Sequence, residues 1–295
     1  SRIITSSASP TLESAEMNIG FSVMTHKSDP GIAAIGDDAP AQVLVGDDAA
    51  QQAINAAALA PLLAHGNRVG VILGTLPGER QVQNILRVRL GVIQGILNHI
   101  DGIEDGIKKT IISRLTEQIR DRIPENNEDT IPGLLSNIVS GRIANTFGCN
   151  GANFVVDASC ASATVATRLA VKGLQSGDYD SVLTGGVDAN FYPAVMLAFK
   201  RLSLLSDGDA GFGSARAMST RNEDPEAASR PWDEERDGFV LSNGAGVLVL
   251  EEYEHAKARG AHIYAELAGS AMNSDAYHMT SPSPNGEGAA DCMRL

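Results

Sequence analysis

Residues 153–188 read NFVVDASCASATVATRLAVKGLQSGDYDSVLTGGVD. The opening NFVVDAS is a short apolar run that suits a buried strand, and YDSVLTGGVD, from Tyr179, is a second run containing a Gly-Gly pair. Between them CASATVATRLAVKGLQ sets small and apolar residues at helical spacing. Strand, helix and strand in this order make a β-α-β unit. Its parallel strands need a crossover, and such a sheet carries helices on its faces. The fold class expected from this stretch is α/β. Ala161, Ala163, Ala166 and Ala170 would let the helix lie close to the sheet.

Cys160 stands at the turn from strand to helix. A nucleophilic cysteine reacts as the thiolate, and a helix N-terminus favours negative charge. A sharp turn there would also push the side chain toward a substrate, the logic of the nucleophile elbow without its motif. Cysteine is also among the most buried residue types, and one set among alanines packs. Position alone leaves both roles open.

Upstream, Asn67 to Gly74 (NRVGVILG) is an apolar run closed by glycine, a buried strand that neighbours approach closely. Helices are expected over 80–100 and 104–123, the second with Ile107, Ile111, Ile112 and Leu115 on one face. IPENNEDTIP (123–132) breaks the pattern, and helical spacing resumes over Gly133–Phe147. Residues 1–66 are alanine-rich and weakly patterned, with one helix expected from Asp48 to Ala64. Downstream, a helix near 193–204 precedes a long irregular stretch, 206–237. Val247–Leu250 then reads as a buried strand, Tyr253–Arg259 as a short helix ended by Gly260, and His262–Ala271 as a strand. Ser1 in place of Met, and a helix only begun at Gly288–Leu295, suggest a sequence cut at both ends.

The 295 residues carry a net charge of −13 and 43% apolar residues, the usage of a globular chain. That charge argues against nonspecific nucleic-acid binding, which needs surplus Lys and Arg. No apolar run approaches the roughly 20 residues of a membrane span, and no charged-then-apolar leader opens the chain, so a cytoplasmic location is expected. Cys149, Cys160 and Cys292 show no paired CxxC spacing for zinc or redox chemistry. SNGAG and DGDAGFG lack the Walker lysine and the GxGxxG context and read as turns. Asp207, Asp209, Glu223 and Asp224 lack EF-hand spacing, so no metal is expected.

VDASCASATVATRLAVKGLQSGDYDSVLTGGVDA (156–189) resembles the active-site segment of β-ketoacyl synthases, in which Asp-x-x-Cys precedes a small-residue helix and a Gly-Gly strand. RIAN (Arg142–Asn145) before it and SRPWDEERDGFVLSNGAGVLVLEEYEHAKARGA (229–261) after it match the family in the family's order. Residues 211–288 look close to bacterial synthase II, whereas those before Ser206 look more like synthase domains of polyketide or polyunsaturated fatty-acid synthases.

The resemblance implies a thiolase-like fold, layered α-β-α-β-α, with residues 1–250 as the N-terminal half carrying the nucleophile and inserted helices. Residues 251–295 would begin the C-terminal half. It implies a 3-oxoacyl-[acyl carrier protein] synthase in which Cys160 takes an acyl group from a phosphopantetheine thioester. Malonyl-carrier protein then loses CO2 and its carbanion attacks, a decarboxylative Claisen condensation of fatty-acid or polyketide synthesis. No cofactor is bound to the enzyme, since 4′-phosphopantetheine arrives on the acyl carrier protein. A homodimer is implied, with Tyr179 to Val187 as the candidate interface.

Arg216 matches a family position facing the carrier protein, against a solvated surface arginine. Phe239 matches a phenylalanine beside the nucleophile, against an ordinary core aromatic. Thr280 and Ser281 would line the pantetheine arm. Family members also use two histidines, in HGTxTxxGD and GHxxGxxG motifs, with a lysine between them. None of His26, His65, His99, His255, His262 and His278 has that context, so the chain alone is not expected to complete condensation. His278 reads as a loop histidine held by local hydrogen bonds rather than a base. A thiolase acting on coenzyme A esters would share fold and nucleophile but carry a second cysteine in a setting Cys292 lacks. A chain-length factor or a truncated dimerisation fragment is the non-catalytic alternative, and chain-length factors usually lack the nucleophile.

Overall fold

The computed structural model describes residues 3–7, 49–55, 57–64, 66–76, 79–120, 132–189, 219–240, 243–278 and 282–295. The helix expected near 193–204 lies outside them. Among the described residues six strands, β1 (Ile3–Ser7), β2 (Val69–Thr75), β3 (Asn153–Val156), β4 (Ser181–Asp188), β5 (Gly244–Glu252) and β6 (Ala265–Leu267), form one sheet. Their order is β3-β2-β4-β5-β1-β6. β3, β2 and β4 are parallel, and the remaining pairs are antiparallel.

The helices are α1 (residues 49–55), α2 (Glu79–His99), α3 (Asp105–Arg120), α4 (Ile138–Phe147), α5 (Ser162–Ser176), α6 (Tyr253–Ala258) and α7 (Glu287–Arg294). α4 starts later than Gly133 because Pro132–Leu134 forms a tighter 3₁₀ turn. β6 spans only three residues of the expected 262–271 strand, and it lies in this same sheet beside β1.

The alternation along the strands sorts the core into two layers. Val71 and Leu73 of β2, Leu183 and Val187 of β4 and Val249 of β5 pack with Ile54, Val139 and Ile143 from α1 and α4. Ile72, Val182 and Leu250 face the other way, onto Ala166, Ala170, Val171 and Leu174 of α5. Helices therefore cover both faces of the sheet, which is why β2 is buried along its whole length.

Two expectations are corrected. NFVV is not a buried strand: among the described residues β3 is the sheet edge, and Phe154 is 37% exposed. Tyr179 to Val187 cannot offer an edge for dimerisation, because β4 is hydrogen-bonded to β2 on one side and β5 on the other. Ile107 and Ile111 of α3 are 52% and 37% exposed, while Ile112 and Leu115 are half-buried. Among the described residues α3 packs chiefly on α2, and one neighbour covers only one side of a helix. No helix of the described residues is long and apolar enough to cross a membrane.

A buried ion cluster closes the β5–α6 corner. Glu251, 1% exposed, accepts from Arg259 Nε at 2.8 Å and Nη2 at 2.7 Å, with His255 Nδ1 at 2.5 Å from Oε1. The same guanidinium donates to the Ala57 and Ala58 carbonyls at 3.0 and 3.2 Å, tying the segment after α1 to the sheet.

Candidate active site

Between β3 and α5 the chain makes a 3₁₀ turn, Ser159–Ala161, with Cys160 exposed at its centre. Ser159 has φ 53°, the left-handed region that a serine rarely enters. Local hydrogen bonds hold it there. Asp157 Oδ1 accepts the Ser159 N–H at 3.1 Å, an Asx turn, and the Ser162 hydroxyl accepts the Ala158 N–H at 2.8 Å. The turn's backbone bonds run from Ala161 N–H to Ala158 C=O and from Ser162 N–H to Ser159 C=O. Cys160's own N–H takes part in neither.

The start of α5 rests on a floor of glycine. Gly74 of β2 is in register with Gly186 of β4, and α5 crosses above both. A Cβ on Gly74 would lie 2.3 Å from the Ser162 carbonyl carbon and 2.4 Å from the Ala163 nitrogen. One on Gly186 would lie 2.9 Å from Ala163 Cβ. Gly74→Ala must therefore lift the helix start; a loss of about 1–3 kcal/mol, read as a lower urea midpoint, is expected together with slower reaction at Cys160. An unchanged midpoint would show that the helix is not seated on the glycine.

The three cysteines occupy different surroundings. Cys149 is buried after α4, and burial pushes its thiol up to about 11. Cys292 is half-buried on α7 and lines a cleft of about 770 Å³ with Arg168, Glu266 and Ser270, a lining that takes in none of the turn's residues. The cysteine that is exposed is the one in the strained turn.

Phe239 is no core aromatic, being 59% exposed. It ends a loop in which its carbonyl accepts the Ser219 N–H at 2.9 Å and Asp237 accepts the Thr220 N–H at 2.9 Å. The Thr220 N–H, followed by the Ser219 hydroxyl, holds the Asp237 carboxyl below the usual carboxylate range. Arg216, Thr280 and Ser281 lie outside the described residues. His278 is exposed and has interactions of its own.

The loop flanking Thr280 and Ser281 is pinned by Asp275. Its carboxyl lies below the ordinary range chiefly because the Ser283 N–H donates to it at 2.9 Å, and then because of the Tyr277 N–H. A depressed value means that this hold is present above the unfolded value near 3.9 and is lost as pH falls through the lower folded value. Exchange protection at the Ser283 amide should persist at pH 5 and disappear in stronger acid. Asp275→Asn should remove that pH dependence; if it stays, another group pins the loop.

Ser162 and Gly74 were not singled out from sequence. The Asx turn is signalled by Asp157 two residues before Ser159, but nothing local links Gly74 to a cysteine far along the chain.

A helix-covered sheet with an exposed cysteine in a strained strand-to-helix turn is a thiolase-like arrangement. A solved structure described as a type II PKS acyl-carrier protein in complex with its ketosynthase bound to the hexaketide aligns with a TM-score of 0.58 and 28% identity, over 86% of this chain and 53% of that one. The family model described as Beta-ketoacyl synthase, N-terminal domain, matches residues 14–256, and the chain belongs to that family. It is 45% identical over 163 residues to 3-oxoacyl-[acyl-carrier-protein] synthase 2 of Vibrio cholerae serotype O1, covering 55% of this chain and 36% of that protein. To the synthase 2 of Synechocystis sp. it is 37% identical over 242 residues, 82% of this chain and 48% of that protein. The chain thus spans about a third to a half of the length of these curated relatives.

Proposed function

We propose that the chain is part of a 3-oxoacyl-[acyl carrier protein] synthase of fatty-acid or polyketide synthesis and that Cys160 is its acyl-accepting nucleophile. The observation that carries this reading is an exposed Cys160 in a held turn, with its N–H left out of the turn's hydrogen bonds. An acyl thioester placed against Sγ would develop its oxyanion beside that N–H as the sulfur attacks. The pantetheine thiol then leaves and the acyl group stays on Cys160. Covalent transfer splits the condensation into two easier steps, the second being attack by the carbanion from a malonyl thioester.

The partner is an acyl carrier protein, a reading supported by the relative whose structure is described as such a complex. Arg216 would meet its acidic surface, Thr280 and Ser281 the pantetheine arm, and Phe239 the acyl group beside Cys160. The phosphopantetheine comes with the carrier, no metal or resident cofactor is needed, and the location is cytoplasmic. A homodimer is proposed along β3, whose outer edge has no strand partner among the described residues; a chain that sediments as a monomer at micromolar concentration would refute it. The acyl-transfer test is incubation with a hexanoyl thioester and location of the adduct by peptide mass spectrometry. A hexanoyl mass on the Cys160 peptide is expected, and its absence would sink the assignment.

A further inference from the structure

We infer that Ser162 is a positioning residue for acyl transfer: its hydroxyl fixes the peptide that presents the Cys160 N–H to the forming oxyanion. This rests on Cys160 being the acyl acceptor. Ser162 is 5% exposed, and its hydroxyl donates to the Ser159 carbonyl at 2.6 Å while accepting from the Ala158 N–H at 2.8 Å. Its backbone N–H donates to the same Ser159 carbonyl. That carbonyl and the Cys160 N–H belong to one planar trans peptide, so a carbonyl gripped from inside the turn turns the N–H the opposite way, out of it.

The grip spans the strained residue. Ala158 and Ser159 are both held by one hydroxyl, and Ser159 is the residue at φ 53°. Without the hydroxyl, the Ala158 N–H loses its acceptor and the Ser159 carbonyl keeps only the Ser162 N–H, so Ser159 is freer to relax toward negative φ, which rotates the peptide and carries the donor away from the sulfur. In the parent the hydroxyl keeps its place, because the backbone of Ser162 and Ala163 is seated on Gly74.

Two reactions at the same sulfur separate this role from simple structural damage. In acylation by the hexanoyl thioester of N-acetylcysteamine, the S–C bond forms through an oxyanion. The thioester C–S bond then breaks and N-acetylcysteamine leaves with the proton. In alkylation by iodoacetamide the sulfur displaces iodide and no oxyanion forms. Ser162→Ala is expected to slow single-turnover acylation of Cys160 by about 10²-fold, the scale of one lost oxyanion donor, and to leave alkylation unchanged. Ser162→Thr, which keeps the hydroxyl, should recover most of the rate.

Acylation in Ser162→Ala at the parent rate would overturn the inference, as would acylation and alkylation slowing together, or a threonine variant no better than alanine. Alkylation of buried Cys149 in the variant would mean lost packing and also counts against it. A parent chain that alkylates but never acylates refutes the nucleophile assignment itself, a failure distinct from that of Ser162.

Discussion

Cys160→Ala should accept no acyl group, with the acyl-transfer rate falling by at least roughly 10³-fold, as when a covalent nucleophile is removed. The other thiols cannot replace it. Cys149 is buried with its thiol pushed up to about 11, so little thiolate forms near neutrality. Cys292 is half-buried in a cleft lined by Arg168, Val171 and Gln175 of α5 and by none of the turn's residues. Iodoacetamide at pH 8 should therefore label Cys160 first and leave Cys149 unmodified in the native protein. An acyl adduct that persists in Cys160→Ala would move the nucleophile elsewhere. Since Cys160 is exposed, the substitution should leave the urea midpoint close to the parent's.

Arg259→Met is expected to cost about 3–5 kcal/mol, the scale for breaking a buried ion pair by removing one partner. Glu251 is 1% exposed and takes both arms of the guanidinium, at 2.8 and 2.7 Å. The loss leaves a buried carboxylate with His255 as its one charged partner among the described residues, and it frees the carbonyls of Ala57 and Ala58 that the same side chain holds. The urea midpoint should fall with little change in slope. Replacing Glu251 and Arg259 together by Met should recover part of the loss, because no unpaired charge then remains buried. A single substitution costing less than about 1 kcal/mol would mean that water reaches Glu251 once the arginine is gone.

The elements around Cys160 were legible because their signals are local. An apolar run, a small-residue helix and a Gly-Gly strand lie within 153–188, and each appears where expected, as β3, α5 and β4. The run 67–74 likewise became β2, since a strand buried on both faces reads as continuous apolar sequence. The exposure of β3 was not legible, because a four-residue edge strand and a central strand share the same composition. Nor was β1: Ile3–Ser7 is five residues without clear alternation, and its register against β5, with Ile3 opposite Glu252, is set by a partner at the other end of the chain. The Phe239 exposure and the aliphatic residues open on α3 depend on what covers an element, which periodicity does not state.

Cys160 as the candidate nucleophile, the α/β class and the family were all determined by the residues themselves. Backbone propensity and patterning act over a few residues, and a nucleophile turn needs only such a span. Tertiary structure alone decided that β2 lies between the two strands that α5 connects, which sets Gly74 under the helix start and lets the turn sit tight on the sheet. It alone decided that Arg259 reaches Glu251 and the carbonyls after α1 at once. Such contacts join residues distant in sequence, and their geometry is fixed by packing and by the pairing of buried polar groups.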